Sequence, residues 1–170
     1  MMGNLESARV SDQGEVDLPE DAGIMPRSFA HLFSAVNSLQ TRSHGGARYL
    51  IRCSFIEIYN EELRDLLAVE TRDSSSLLPG AKKKKLEIKE TESQSVYVRD
   101  CVVRMARTPK DLMNALKDGV RSRAVGDTQM NRESSRSHCI FTVYIEMQEE
   151  LKVVAILSLR INFIGRASAV

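Results

Sequence analysis

The sequence has almost no surplus of charge: 24 basic side chains stand against 23 acidic ones, a formal net charge of +1. Such a balance singles out no partner, and neither nucleic acid nor a strongly charged surface is indicated by it. Long apolar runs are also lacking. The most apolar segment, Val153 to Ile164, is interrupted by Arg160 and is shorter than the ~20 residues a bilayer crossing needs. No membrane insertion is expected. The start, Met1-Met2-Gly3-Asn4-Leu5-Glu6, has no basic n-region and no apolar core, so no secretory leader is expected either. Cysteine is scarce. Cys53, Cys101 and Cys139 lie far apart, form no metal-binding spacing and leave one thiol unpaired, which suits a reducing cytoplasm and buried thiols. Nothing in the chain repeats. What is present is 170 residues with 42% hydrophobic content, enough for one domain with its own core.

Taken in order, residues 1–22 are polar and acidic and read as a mobile N-terminal segment. Pro26 suits a first helical turn, and Phe29, Leu32, Phe33, Val36 and Leu39 recur at helical spacing. Ser43-His44-Gly45-Gly46 ends that helix. Tyr49 to Tyr59 is apolar on both faces, as expected of a strand inside a sheet covered on both sides. Asn60 is placed to cap a following helix anchored by Leu63, Leu66 and Leu67, and Glu57 reads as a paired carboxylate at the strand end. Residues 70–85 form a loop ending in Lys82 to Lys85, either a solvated run or a contact for an acidic polymer. Strands are expected over Leu86 to Lys89 and Val96 to Val103. Thr108-Pro109-Lys110-Asp111 is a helix start, with Leu112, Ala115, Leu116 and Val120 on the buried face. Gly119 is costly inside that helix, so close packing or a bend is expected there. Phe141, Val143 and Ile145 alternate with polar residues in a further strand.

Between that helix and that strand lies Asn131-Arg132-Glu133-Ser134-Ser135-Arg136-Ser137-His138. By composition alone it is a Ser-rich capped turn, yet Ser, Asn and Arg also hydrogen-bond phosphate and complete a magnesium shell. Asn-x-x-Ser-Ser-Arg-Ser-His resembles the switch I loop of kinesin motor domains. Ser54-Phe55-Ile56-Glu57-Ile58-Tyr59-Asn60-Glu61 with Leu63-Arg64-Asp65-Leu66-Leu67, Gly23-Ile24-Met25-Pro26-Arg27, and Tyr97-Val98 with Cys101 resemble further stretches of that family. All stand in family order.

The resemblance implies an α/β fold: a partial kinesin motor domain whose central mixed sheet is flanked by helices on both faces, with the early strands missing. It implies a microtubule-stimulated ATPase that moves along microtubules and acts in the cytoplasm on the cytoskeleton, with ATP and magnesium as cofactors and tubulin as partner. Ser135 would approach the magnesium ion, Ser134 the attacking water, Asn131 the phosphates, and Arg136 an acidic residue of a second switch. Arg99 and Arg104 would touch the microtubule. Two departures qualify this. No G-x-x-x-x-G-K-[ST] phosphate cradle occurs in the 170 residues, and Leu151 to Arg160 stands where the family has its Asp-Leu-Ala-Gly-Ser-Glu second switch. The expected organisation is therefore residues 1–22 as a polar segment, 23–148 as a partial motor domain and 149–170 as a divergent end. The chain is expected to be a fragment unable to hydrolyse ATP, the alternative being a non-catalytic form that binds only tubulin or another protein. The segment from Leu151 to Ile164 is expected to return as an antiparallel strand beside Cys139 to Met147, with Arg160 and Arg166 marking where burial stops.

Overall fold

A computed structural model describes residues 9–10, 16–42, 47–68, 86–90, 96–127, 137–149 and 157–166. Two short strands, β1 (Arg9–Val10) and β2 (Val16–Asp17), pair antiparallel and lead into helix α1 (Ile24–Arg42). Met25, Phe29, Phe33 and Val36 are buried at the spacing of successive turns. The pattern also included Leu39, which is instead 48% exposed one turn beyond the sheet contact. Arg27 fastens the start of α1 to the preceding segment, its Nε donating to the Ala22 carbonyl at 3.0 Å and an Nη to that of Glu20 at 2.8 Å.

Strand β3 (Ala47–Tyr59) is the centre of the sheet. Along one edge it pairs with β8 (Ser137–Glu149) over its whole length, Ala47 opposite Glu149 and Tyr59 opposite Ser137. Along the other edge it pairs with β4 (Glu62–Asp65) and β7 (Arg104–Ala106). The sequence pattern placed a helix after Asn60; the chain makes a two-residue hairpin instead. Asn60 and Glu61 both have positive φ, 48° and 64°, and Tyr59 faces Glu62 across the turn. That is the backbone of a tight hairpin turn, a conformation asparagine tolerates well, and its twist matches the strands it joins. Leu66 and Leu67 are still buried, as expected, but at the end of a strand.

A separate hairpin is made by β5 (Glu87–Glu90) and β6 (Val96–Arg99). The second strand stops at Arg99, short of the expected Val103, because Asp100 adopts φ 63° and turns the chain toward β7. Helix α2 (Pro109–Asp127) follows. Its start is the expected capping arrangement: the Thr108 hydroxyl accepts from the Asp111 amide at 3.3 Å, while Asp111 accepts from the Arg107 and Thr108 amides at 2.8 and 2.9 Å. Burial alone would raise the Asp111 pKa, but these bonds outweigh it and hold the carboxyl below its ordinary value. The last strand, β9 (Leu157–Arg166), pairs antiparallel with β8, Met147 opposite Leu157 and His138 opposite Arg166. An antiparallel return strand is present from Leu157 to Arg166, later than the expected Leu151 to Ile164, and residues 151–156 of the expected stretch lie outside the described residues. Arg160 stands in this strand opposite Tyr144.

Phe55, Cys53 and Ile51 of β3 lie in register with Phe141, Val143 and Ile145 of β8, and both helices pack onto that face. Phe141 is the hub of the core, 5.5 Å from the Phe29 ring and 5.2 Å, edge-on, from Phe55. The α/β class is as expected. Among the described residues every strand pair is antiparallel, and both helices lie on the same face of the sheet.

Candidate functional site

The loop singled out in the sequence joins α2 to β8, and Asn131, Ser134, Ser135 and Arg136 lie outside the described residues, as do Lys82 to Lys85. Both ends of the loop are described. Arg123, in the last turns of α2, donates from Nε to Glu57 Oε1 at 3.0 Å. Ser137, the first residue of β8, donates its hydroxyl to the same oxygen. Glu57 sits near the end of the central strand with its side chain 5% exposed, and that of Arg123 is 15% exposed. One buried carboxylate on the most heavily paired strand thus ties down both flanks of the loop. A buried carboxylate needs such partners, since an unpaired one loses its hydration without replacement. The sequence marked Glu57 as a paired carboxylate. Its partners, 66 and 80 residues away, carry no local signal.

Above this anchor, α2 lies unusually close to the sheet. A Cβ on Gly119 would stand 2.1 Å from Cδ1 of Phe55. The glycine therefore marks close packing, the first of the two alternatives the sequence offered. Its absence of a side chain lets the helix sit low enough for Arg123 to reach Glu57.

The second group of expected site residues lies around β5, β6 and β7. Arg99 is 59% exposed, with Glu87 at 4.0 Å and Asp100 at 3.7 Å from its guanidinium among the described residues. Arg104 is placed differently. Its guanidinium bonds Asp118 at 2.7 Å and the Leu67 carbonyl at 2.9 Å, tying β7 to α2 and to the end of β4. Asp65 continues that network, accepting from the amides of Val102 at 2.6 Å and Leu67 at 2.9 Å. Arg99 is thus largely open to solvent, whereas Arg104, 32% exposed, is paired at the surface with Asp118, 46% exposed.

Two of the three thiols, Cys53 and Cys101, are held in the protonated form by their surroundings. Burial pushes Cys53 up to about 11, and burial together with the neighbouring Asp65 charge pushes Cys101 up to about 12. Among the described residues no group of three His, Cys, Asp or Glu side chains is placed to hold a metal ion. Glu57 is already engaged by Arg123 and Ser137.

A strand-centred sheet, two helices on one face and an anchored Asn-x-x-Ser-Ser-Arg-Ser-His loop define a motor-domain type of α/β fold. The chain belongs to the kinesin motor domain family, which matches residues 1–168, and which is nucleotide-binding as a family. It is 37% identical over 137 residues to the bovine kinesin-like protein KIF3C, and 38% identical to the mouse and rat proteins of that name. Each alignment covers 81% of this chain and 15% of the relative, so the chain spans about one seventh of their length. The solved structure of a fast kinesin superposes with a TM-score of 0.72 at 27% identity, covering 96% of this chain and 39% of that one.

Proposed function

We propose that this chain acts as part of a microtubule motor and not as a complete one. Its role would be to present the loop between α2 and β8 to a nucleotide site and the β5–β6 hairpin to tubulin. The observation that carries this reading is the fastening of both loop ends to the buried Glu57 carboxylate, a fixed mount for residues that work by positioning. The solved relative is described in terms of its ATPase mechanism and its interactions with microtubules. In the intact site Ser135 would meet magnesium, Ser134 the attacking water and Asn131 the phosphates, with Arg136 pairing across to a second switch.

By itself the chain is not expected to bind or hydrolyse ATP. The 170 residues contain no G-x-x-x-x-G-K-[ST], so they offer no nest of amides and no lysine for the phosphates. A titration with a fluorescent nucleotide and magnesium is expected to show no saturation up to millimolar levels. Micromolar binding that Ser135→Ala abolishes would overturn this.

Tubulin affinity is expected to be weak and electrostatic, carried by Arg99 and Arg104, the latter partly offset by its exposed partner Asp118. Attraction between exposed charges is screened within ~8 Å at physiological ionic strength. Co-sedimentation with microtubules should therefore fall steeply between low and physiological salt and fall further in Arg99→Glu. Binding indifferent to salt would count against the reading. A tubulin-binding form without ATPase activity is the second reading, favoured by the missing phosphate cradle.

A further inference from the structure

On the outer side of α2, Lys110, Asn114, Lys117 and Arg121 recur at spacings of four, three and four residues. At ~3.6 residues per turn they fall on one stripe, opposite Leu112, Ala115, Leu116 and Gly119, which face the sheet. Lys110, Asn114 and Arg121 are exposed and Lys117 is half-buried. The acids nearest in the same helix are engaged elsewhere. Asp111 is turned back to the Arg107 and Thr108 amides, and Asp118, on the flank of the stripe, bonds Arg104 at 2.7 Å. Among the described residues no ion pair reaches Lys110, Lys117 or Arg121. Two of these placements work against the helix itself. Lys110 stands in the first turn, where the helix dipole favours acids, and Lys117 and Arg121 are like charges one turn apart. Helix stability alone does not account for them.

We propose that this stripe is a docking site for an extended, acidic segment of a partner protein. Its cations are complementary to carboxylates, and the Asn114 amide adds a donor for one more. The spacing fits as well. Along the helix axis Lys117 and Arg121 are ~6 Å apart, and Lys110 to Arg121 spans ~16.5 Å. In an extended chain the side chains on one face repeat every ~6.7 Å, so about six residues with Asp or Glu at alternate positions cover the stripe. Nucleic acid is a poorer occupant. The stripe has no aromatic side chain for bases to stack on, and a net charge of +1 gives the chain no long-range field to gather a polyphosphate. The surface is also separate from the β5–β6 hairpin. That hairpin packs over Ile56, Ile140 and Tyr144, whereas α2 lies over Phe55 on the other face of the sheet. The stripe therefore points away from Arg99, and a partner on one does not exclude a partner on the other.

The proposal goes beyond the motor reading and is tested without nucleotide or microtubules, so the two can fail separately. The probe is a fluorescent poly-glutamate peptide, titrated with the full chain at low salt and followed by anisotropy. Saturable binding is expected, weakening steeply toward physiological ionic strength. Lys110→Glu combined with Lys117→Glu should weaken it by about tenfold or more, while Arg99→Glu leaves it unchanged. Lys110→Glu by itself should also raise the melting temperature by about 1–4 °C, because it puts an acid at the positive end of α2. Affinity that falls while stability rises separates a binding role from a structural one. No saturation up to ~1 mM, a double variant that binds like the parent, equal loss in Arg99→Glu, or a Lys110→Glu chain that melts lower would each overturn the proposal. So would equal affinity for a single-stranded oligonucleotide or for phosphatidylserine vesicles.

Discussion

Replacing Gly119 by alanine is expected to destabilise the chain by about 3 kcal/mol, the upper end of what overpacking costs. Helix propensity alone predicts the opposite sign, a gain of about 1 kcal/mol, so the direction of the change is itself the test. The new methyl would lie 2.1 Å from Cδ1 and 2.6 Å from Cε1 of Phe55. Those are ring atoms of a side chain only 1% exposed, held edge-on by Phe141. With the ring enclosed on all but 1% of its surface, α2 must lift or the aromatic cluster must spread. In a domain of this size the melting temperature should fall by about 6–12 °C. Phe55→Leu is destabilising alone but should recover part of the loss in the Gly119→Ala background, a coupling that a double-mutant cycle reads directly. A Gly119→Ala chain that melts at or above the parent would contradict the close approach.

Glu57→Ala is expected to be comparably damaging, about 3 kcal/mol, the lower end of what breaking a buried ion pair costs. Arg123 would keep its positive charge in a site 15% exposed, and the Ser137 hydroxyl would lose its acceptor. Glu57→Gln keeps an oxygen for Ser137 and for Arg123 but removes the charge, so it should cost less than half as much. Hydrogen exchange separates a local from a global role. In Glu57→Gln the amides at the end of α2 and the start of β8 should exchange faster, while those in the middle of β3 keep their protection. Uniform acceleration over the whole sheet would show that Glu57 supports the core in general and not the ends of the loop.

Both helices were legible in the sequence because each obeys one rule throughout. The apolar spacing from Phe29 to Val36, and the Thr108-Pro109 start with its Asp111 back-bond, need no knowledge of the rest of the fold. The central strand was legible for the same reason. Asn60 was misread because its chemistry serves two ends: asparagine can cap a helix or tolerate the left-handed turn of a hairpin. What decides between them is that β3 leaves an edge open for Leu63 and Arg64 to fill. Asp100 ended a strand early through a single backbone angle that its neighbours do not announce. The anchor of the candidate loop was half legible. Glu57 looked paired, but Arg123 and Ser137 meet it only after the sheet has formed. Nothing in the local sequence of Arg104 names Asp118 as its partner.

The pairing of β3 with β8 also sets a timetable. Tyr59 waits for Ser137, and Ala47 for Glu149, a gap of roughly 80 to 100 residues of chain. At the ~5–20 residues per second of synthesis, that gap lasts about 4 to 20 seconds. The tight Asn60–Glu61 turn lets β4 close onto one edge of β3 within about 1–10 µs. The other edge has no partner until the strand after the candidate loop leaves the ribosome. Synthesis slowed in that stretch should therefore divert newly made chains to aggregates, whereas slowing it after β9 should not.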